Sequence, residues 1–80
     1  MRYVLAGPYW LYDEHRFTNS YFAGHFVSSS DIVDVIDETW CLSIDNAVVF
    51  DDPDLLCRVA AHLRASAMLR VVPVGDNNES

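Results

Sequence analysis

The sequence predicts a small α+β fold, with a mainly antiparallel sheet packed against one main α-helix. Three observations lead there. Eight of the ten aromatic residues lie within the first 26 positions, in short runs separated by turn residues, which suits pleated strands. Beyond Asp52, residues Leu56, Val59, Ala60, Leu63 and Ala67 recur at three- and four-residue spacing, the period of a helix face. Of the 80 residues, 51% are apolar and 21% charged, a balance that builds a globular core and excludes a disordered tail. A chain this short is expected to form one domain over 1–75, with 76–80 as a polar tail.

Residues 2–6 read as a strand that Gly7-Pro8 ends, and Tyr9–Tyr12 as a second extended piece. Asp13-Glu14-His15 and Thr18-Asn19-Ser20 are turn signals. Tyr21–Val27 is a further apolar run, and Gly24 inside it marks a bulge or a close backbone approach. The segment 31–38 carries two readings. Its β-branched residues favour a strand. Its periodicity favours a short helix, with Ile32, Val33, Val35 and Ile36 on one arc and the acids opposite, started by a Ser/Asp cap. The helix is the expectation taken.

Trp40, Leu42 and Ile44 alternate as a strand would, Asp45-Asn46 suits a two-residue turn, and Ala47–Phe50 returns as the partner strand. Asp52 is placed to cap a helix whose first residue is Pro53, with Asp54 in its first turn. That helix is predicted over about 53–67, with Leu56, Val59 and Leu63 as its buried stripe. Leu69–Val74 closes the fold as a strand, and Pro73, lacking an N–H, places it at a sheet edge. The sheet therefore has four to six strands.

Charge is the most distinctive feature. Twelve acids face five arginines and no lysine, a net charge of −7. No arginine occurs between Phe17 and Cys57, while Asp31, Asp34, Asp37, Glu38, Asp45, Asp51, Asp52 and Asp54 all do. Such a surface repels nucleic acid and anionic membranes and attracts basic protein grooves. Carboxylates crowded on so small a scaffold approach the charge spacing of a duplex, which makes the protein a candidate DNA mimic. The plain alternative is a surface that only solubilises. Asp52 and Asp54 have a helix to start, so the candidate partner-binding set is Asp31, Asp34, Asp37, Glu38, Asp45 and Asp51.

Catalytic motifs are absent from the sequence. His15, His25 and His62 form no pair at metal-ligand spacing. There is no Gly-x-Ser-x-Gly, and three glycines make no phosphate-cradling loop. Cys41 and Cys57 lie in apolar-periodic segments, which disfavours a thiolate nucleophile and predicts two buried free thiols in a reducing cytoplasm. No enzyme activity, metal or cofactor is expected. No run approaches the ~20 apolar residues of a membrane span. The aromatic half lacks the positive groove that base stacking needs, since Asp13 and Glu14 offset Arg2 and Arg16. Tyr9, Trp10 and Tyr12 cannot all point inward from one strand. The second functional reading is therefore an adaptor or regulatory protein that binds through an aromatic N-terminal patch.

The run from Trp40 through Ala47-Val48-Val49-Phe50, the acidic helix start, and Arg70-Val71-Val72-Pro73-Val74 together resemble a layout of small phage-encoded accessory proteins. The profile is similar to that of anti-CRISPR proteins: short, acidic, compact and cysteine-poor. The resemblance implies a monomeric inhibitor in the cytoplasm of a bacterial host, acting by occlusion. Its partner would be a basic protein surface, such as a CRISPR effector complex kept from its target DNA. Anti-CRISPR proteins share no common motif, so the resemblance assigns no residue a role.

Overall fold

The computed structural model describes residues 1–30, 32–64 and 66–75. Their order is β1 (Arg2–Leu11), β2 (Arg16–Phe22), β3 (His25–Ser29), β4 (Ile32–Asp37), β5 (Trp40–Cys41), α1 (Pro53–Ala61) and β6 (Arg70–Val74), with short 3-10 turns at Ile44–Asn46 and Ser66–Met68. Every strand pairing is antiparallel. One sheet has the order β5-β2-β1-β6, and β3 and β4 form a separate two-stranded sheet. The predicted α+β class is the one observed.

Gly7-Pro8 does not end the first strand. β1 runs through it for ten residues, and the ladder explains why. Tyr3 exchanges both backbone bonds with Phe50, each 2.8 Å, on the side of β1 away from β6. Alternation then turns the even-numbered residues of β1 toward β6. That strand ends at Arg70, opposite Ala6, so the Pro8 nitrogen faces an open side and no hydrogen bond is lost. Pro73, in β6, sits at the predicted sheet edge.

The main hydrophobic cluster lies on one face of β1, and Val4 and Ala6 are buried on the other. In the cluster Leu5, Phe22, Phe50, Leu56, Val59 and Leu63 pack together with Val33. Each fully buried Leu or Phe contributes about 1.5–3 kcal/mol. Asp52 caps α1 as expected, its carboxylate accepting from the Asp54 N–H at 3.0 Å, and Pro53 occupies the first turn. The helix, however, ends at Ala61 and not near 67. Its last turn tightens, with His62 N–H donating to Val59 O and Leu63 N–H to Ala60 O. Leu63 is thereby buried just past the helix end, and the chain turns back toward β6. Arg58 donates to the Ser30 carbonyl at 3.2 Å, tying α1 to the tip of the β3–β4 hairpin.

The segment 31–38 is a strand and not a helix. Its β-branched residues prevailed because only two of the four apolar side chains need cover. Val33 is buried and Val35 half-buried, whereas Ile32 and Ile36 remain exposed. Ser30, at φ 45°, starts the hairpin turn where the sequence suggested a helix cap. The second predicted hairpin, over 40–50, is also replaced. β5 is two residues long, Ser43 caps a 3-10 turn in place of the Asp45-Asn46 reversal, and Leu42 and Ile44 are exposed. Only Phe50 of the expected return strand bridges to β1. Cys41 is half-buried and Cys57 exposed, both free thiols, so the expectation of two buried thiols fails at Cys57. That residue follows Leu56 on α1 and points away from the core.

Candidate functional site

The acidic stretch folds onto three segments. β4 carries the first. Its ladder with β3 pairs Phe26 with Val35, Val27 with Asp34 and Ser29 with Ile32. Cross-strand partners share a face, so Phe26 and Val35 look inward while Val27, Ile32 and Asp34 look out. The register then shifts, and His25 pairs with Asp37. Ile36 is the extra residue of a β-bulge, which re-aims the side chain that follows it. Asp37 therefore joins Asp34 on the outer face. Beside these two carboxylates, Ile32, Ile36 and Val27 are 64%, 66% and 56% exposed. This mixed acidic and apolar face was not foreseen from the sequence, whose helical reading placed the isoleucines inward.

Asp37 has the most defined surroundings of these acids. It accepts from Thr39 Oγ1 at 2.7 Å and lies 3.5 Å from His25 Nδ1. The Thr39 hydroxyl, and secondarily His25, hold its carboxyl below the ordinary aspartate range. A lowered folded value means that Asp37 favours the folded state above the ordinary aspartate pKa. That contribution is lost as pH falls through the lowered value. Thr39→Val should move the Asp37 titration upward, toward the ordinary range, as followed by carboxyl-carbon NMR. An unmoved titration would mean that the hydroxyl does not set it.

Glu38 does not belong with this surface. It is half-buried, accepts from Trp40 Nε1 at 3.2 Å and from the Arg64 N–H at 3.4 Å, and so braces β5 against the end of α1. Asp45 lies in the 3-10 turn and Asp51 just before the Asp52 cap, both exposed. Among the described residues Asp34, Asp45 and Asp51 form no ion pair with an arginine. Asp31 lies outside the described residues. The structure thus brings Asp34 and Asp37 together, turns Glu38 inward, and leaves Asp45 and Asp51 on separate segments.

A second surface is the free end of the β1–β2 hairpin, which projects beyond β6. Trp10 pairs across the strands with Phe17, ring centroids 4.9 Å apart, and meets Tyr12 edge-on at 6.5 Å. Tyr12 is 79% exposed and Phe17 64%, with Tyr9 exposed as well and Trp10 half-buried. Phe17 escaped notice in the sequence because it borders a turn signal. Between this end and the core, Trp40 and Leu69 close over Gly7, and a small apolar pocket opens beside Pro8, Tyr9 and Ser20.

Among the described residues no group of three His, Cys, Asp or Glu side chains is placed to hold a metal ion. Among the described residues no helix is long and apolar enough to cross a membrane. Comparison with protein-family models, curated proteins and solved structures gives no match.

Proposed function

We propose that the chain is a non-catalytic binding protein whose acidic stretch occupies a basic, nucleic-acid-binding surface of a protein complex. An anti-CRISPR protein that keeps a surveillance complex from its target DNA is the concrete form of this reading. The protein would act as a monomer in the cytoplasm of a bacterial host and would itself bind no nucleic acid. The observation that carries the reading is the exposed set Asp34, Asp37, Asp45 and Asp51, in a stretch that has no arginine from Phe17 to Cys57. Exposed carboxylates steer a basic partner and disfavour an acidic one.

The test is competition. The purified protein should displace duplex DNA from a CRISPR surveillance complex, more weakly as salt is raised. The variant Asp34→Asn, Asp37→Asn, Asp45→Asn and Asp51→Asn keeps size and shape. It leaves Glu38 and the Asp52 cap intact. Each exposed pair contributes about 0.2–1 kcal/mol, so competition should weaken about tenfold while the protein keeps its cooperative melting, the small contribution of ionised Asp37 being lost and the repulsion among the acids relieved. Equal competition by both proteins at low and high salt would overturn the acidic reading. The exposed rings around Trp10 support the second reading, an adaptor that binds through the aromatic hairpin end. In that case Tyr12→Ser with Phe17→Ser abolishes binding and salt has little effect.

A further inference from the structure

We propose that the groove between the β1–β2 hairpin and the 3-10 turn at Ser66–Met68 binds a small aromatic monocarboxylate, whose carboxylate Arg70 receives. The site lies apart from the acidic stretch and does not depend on the reading above.

Strand register assembles it. Ala6 pairs with Arg70 on one side of β1, and Ala6, Pro8 and Trp10 pair with Tyr21, Asn19 and Phe17 on the other. Cross-strand partners share a face, and alternate residues of a strand share it too. Pro8, Phe17, Asn19 and Arg70 therefore stand on one face of the sheet, the face opposite Leu5 and Phe22. β6 begins only at Arg70, so Met68, just before it, flanks the projecting hairpin. These residues and Thr18 line a groove of about 430 Å³, a size that takes a small ligand. The groove is open to solvent. Phe17 and Met68 are 64% and 60% exposed, and Pro8, Asn19 and Arg70 are exposed as well.

Charge selects the ligand. None of the twelve acids lies in β1, β2 or β6, whereas Arg2, Arg16 and Arg70 do. Arg16 is paired with Glu14. Arg70 makes no ion pair among the described residues. Its Nη2 donates instead to Asn19 Oδ1. A neutral amide orients the guanidinium without cancelling its charge, and the other N–H groups of the fork are left for an anion. A carboxylate matches that planar fork. The NH2 of Asn19 is a further donor from the same wall. One arginine balances one negative charge, and the net charge of −7 opposes a second, so a monocarboxylate is preferred to a phosphate dianion. Pro8, the Phe17 ring and the Met68 thioether form apolar walls that suit an aromatic ring.

The test titrates nitrogen-15-labelled protein with phenylacetate. Saturable amide shifts should centre on Phe17, Asn19, Met68 and Arg70, and affinity should fall as salt rises. Phenylacetamide keeps the ring and lacks the charge, and it should bind about tenfold more weakly. Arg70→Gln should weaken phenylacetate binding by a similar factor. If that variant melts early, Met68→Glu, at an exposed turn residue, serves instead and should repel the ligand. Equal binding of the acid and the amide would overturn the proposal, as would shifts centred elsewhere or no saturation at millimolar phenylacetate. Tighter binding of a peptide ending in phenylalanine than of phenylacetate would assign the groove to a chain terminus and overturn the small-molecule occupant. None of these results bears on the DNA competition assay, which judges the acidic surface separately.

Discussion

Gly24→Ala is expected to leave no cooperatively melting protein. Gly24 lies where the chain leaves β2 for β3 and so passes from one sheet to the other. The turn between β4 and β5 crosses directly over it, held by the Ala23 N–H bond to the Thr39 carbonyl at 2.8 Å. A Cβ at position 24 would stand 1.9 Å from the Asp37 carbonyl oxygen and 2.9 Å from the Thr39 nitrogen. Both are backbone atoms, with no rotamer to move aside. Overpacking in ordinary cores costs about 1–3 kcal/mol because side chains adjust. Here the two sheets must separate, and the cost approaches the few kcal/mol that a chain of this size has in total. Circular dichroism melting is the measurement. A native transition in the alanine variant would mean that the crossing turn is not packed as described.

Leu63→Asp is expected to unfold the protein as well, by a different route. Leu63 is 4% exposed and packs with Leu56 and Val59, although it lies past the end of α1. The core around it is apolar, and among the described residues no arginine is buried to receive a carboxylate. An unpaired charge buried there costs more than the fold has to spare. Leu63→Ala separates charge from cavity. It should retain a cooperative transition, destabilised by about 2–4 kcal/mol. If the aspartate variant melts like the native protein, the residue is not in the core.

Where one periodicity held over several turns and a cap agreed with it, the sequence was readable. The Asp52-Pro53-Asp54 start, the stripe of Leu56, Val59 and Leu63, and the edge position of Pro73 all follow from local chemistry. Gly24 was also legible as a close approach, though nothing in the chain named the Asp37 carbonyl as what comes close. The failures between 31 and 50 have a shared cause. There the apolar residues outnumber the places the core offers them. Ile32, Ile36, Leu42 and Ile44 stay exposed, so patterns that assume burial pointed to a helix and a hairpin that do not form. The candidate site suffered in the same way. The sequence places the carboxylates of Asp34, Asp37, Asp45 and Asp51 at the surface, where they lie. Glu38 was not separable from them, because its partners Trp40 and Arg64 come together only in the folded chain. The bulge at Ile36, which turns Asp37 outward, depends on pairing with β3.

The pairing of β1 with β6 joins Ala6 to Arg70 and Arg2 to Val74, nearly the full length of the described chain. During synthesis β1 emerges first, and its partner on that side emerges only after α1 and every other strand. Through that interval Val4 and Ala6, fully enclosed in the finished structure, remain on an open edge. Contacts this distant in sequence form slowly, since the loop they close must be ordered before they are gained. Until β6 follows, a β1–β2 hairpin has one unsatisfied side. The early proline at position 8 interrupts the donors along that side during the period when a neighbouring nascent chain is the nearest competitor for them.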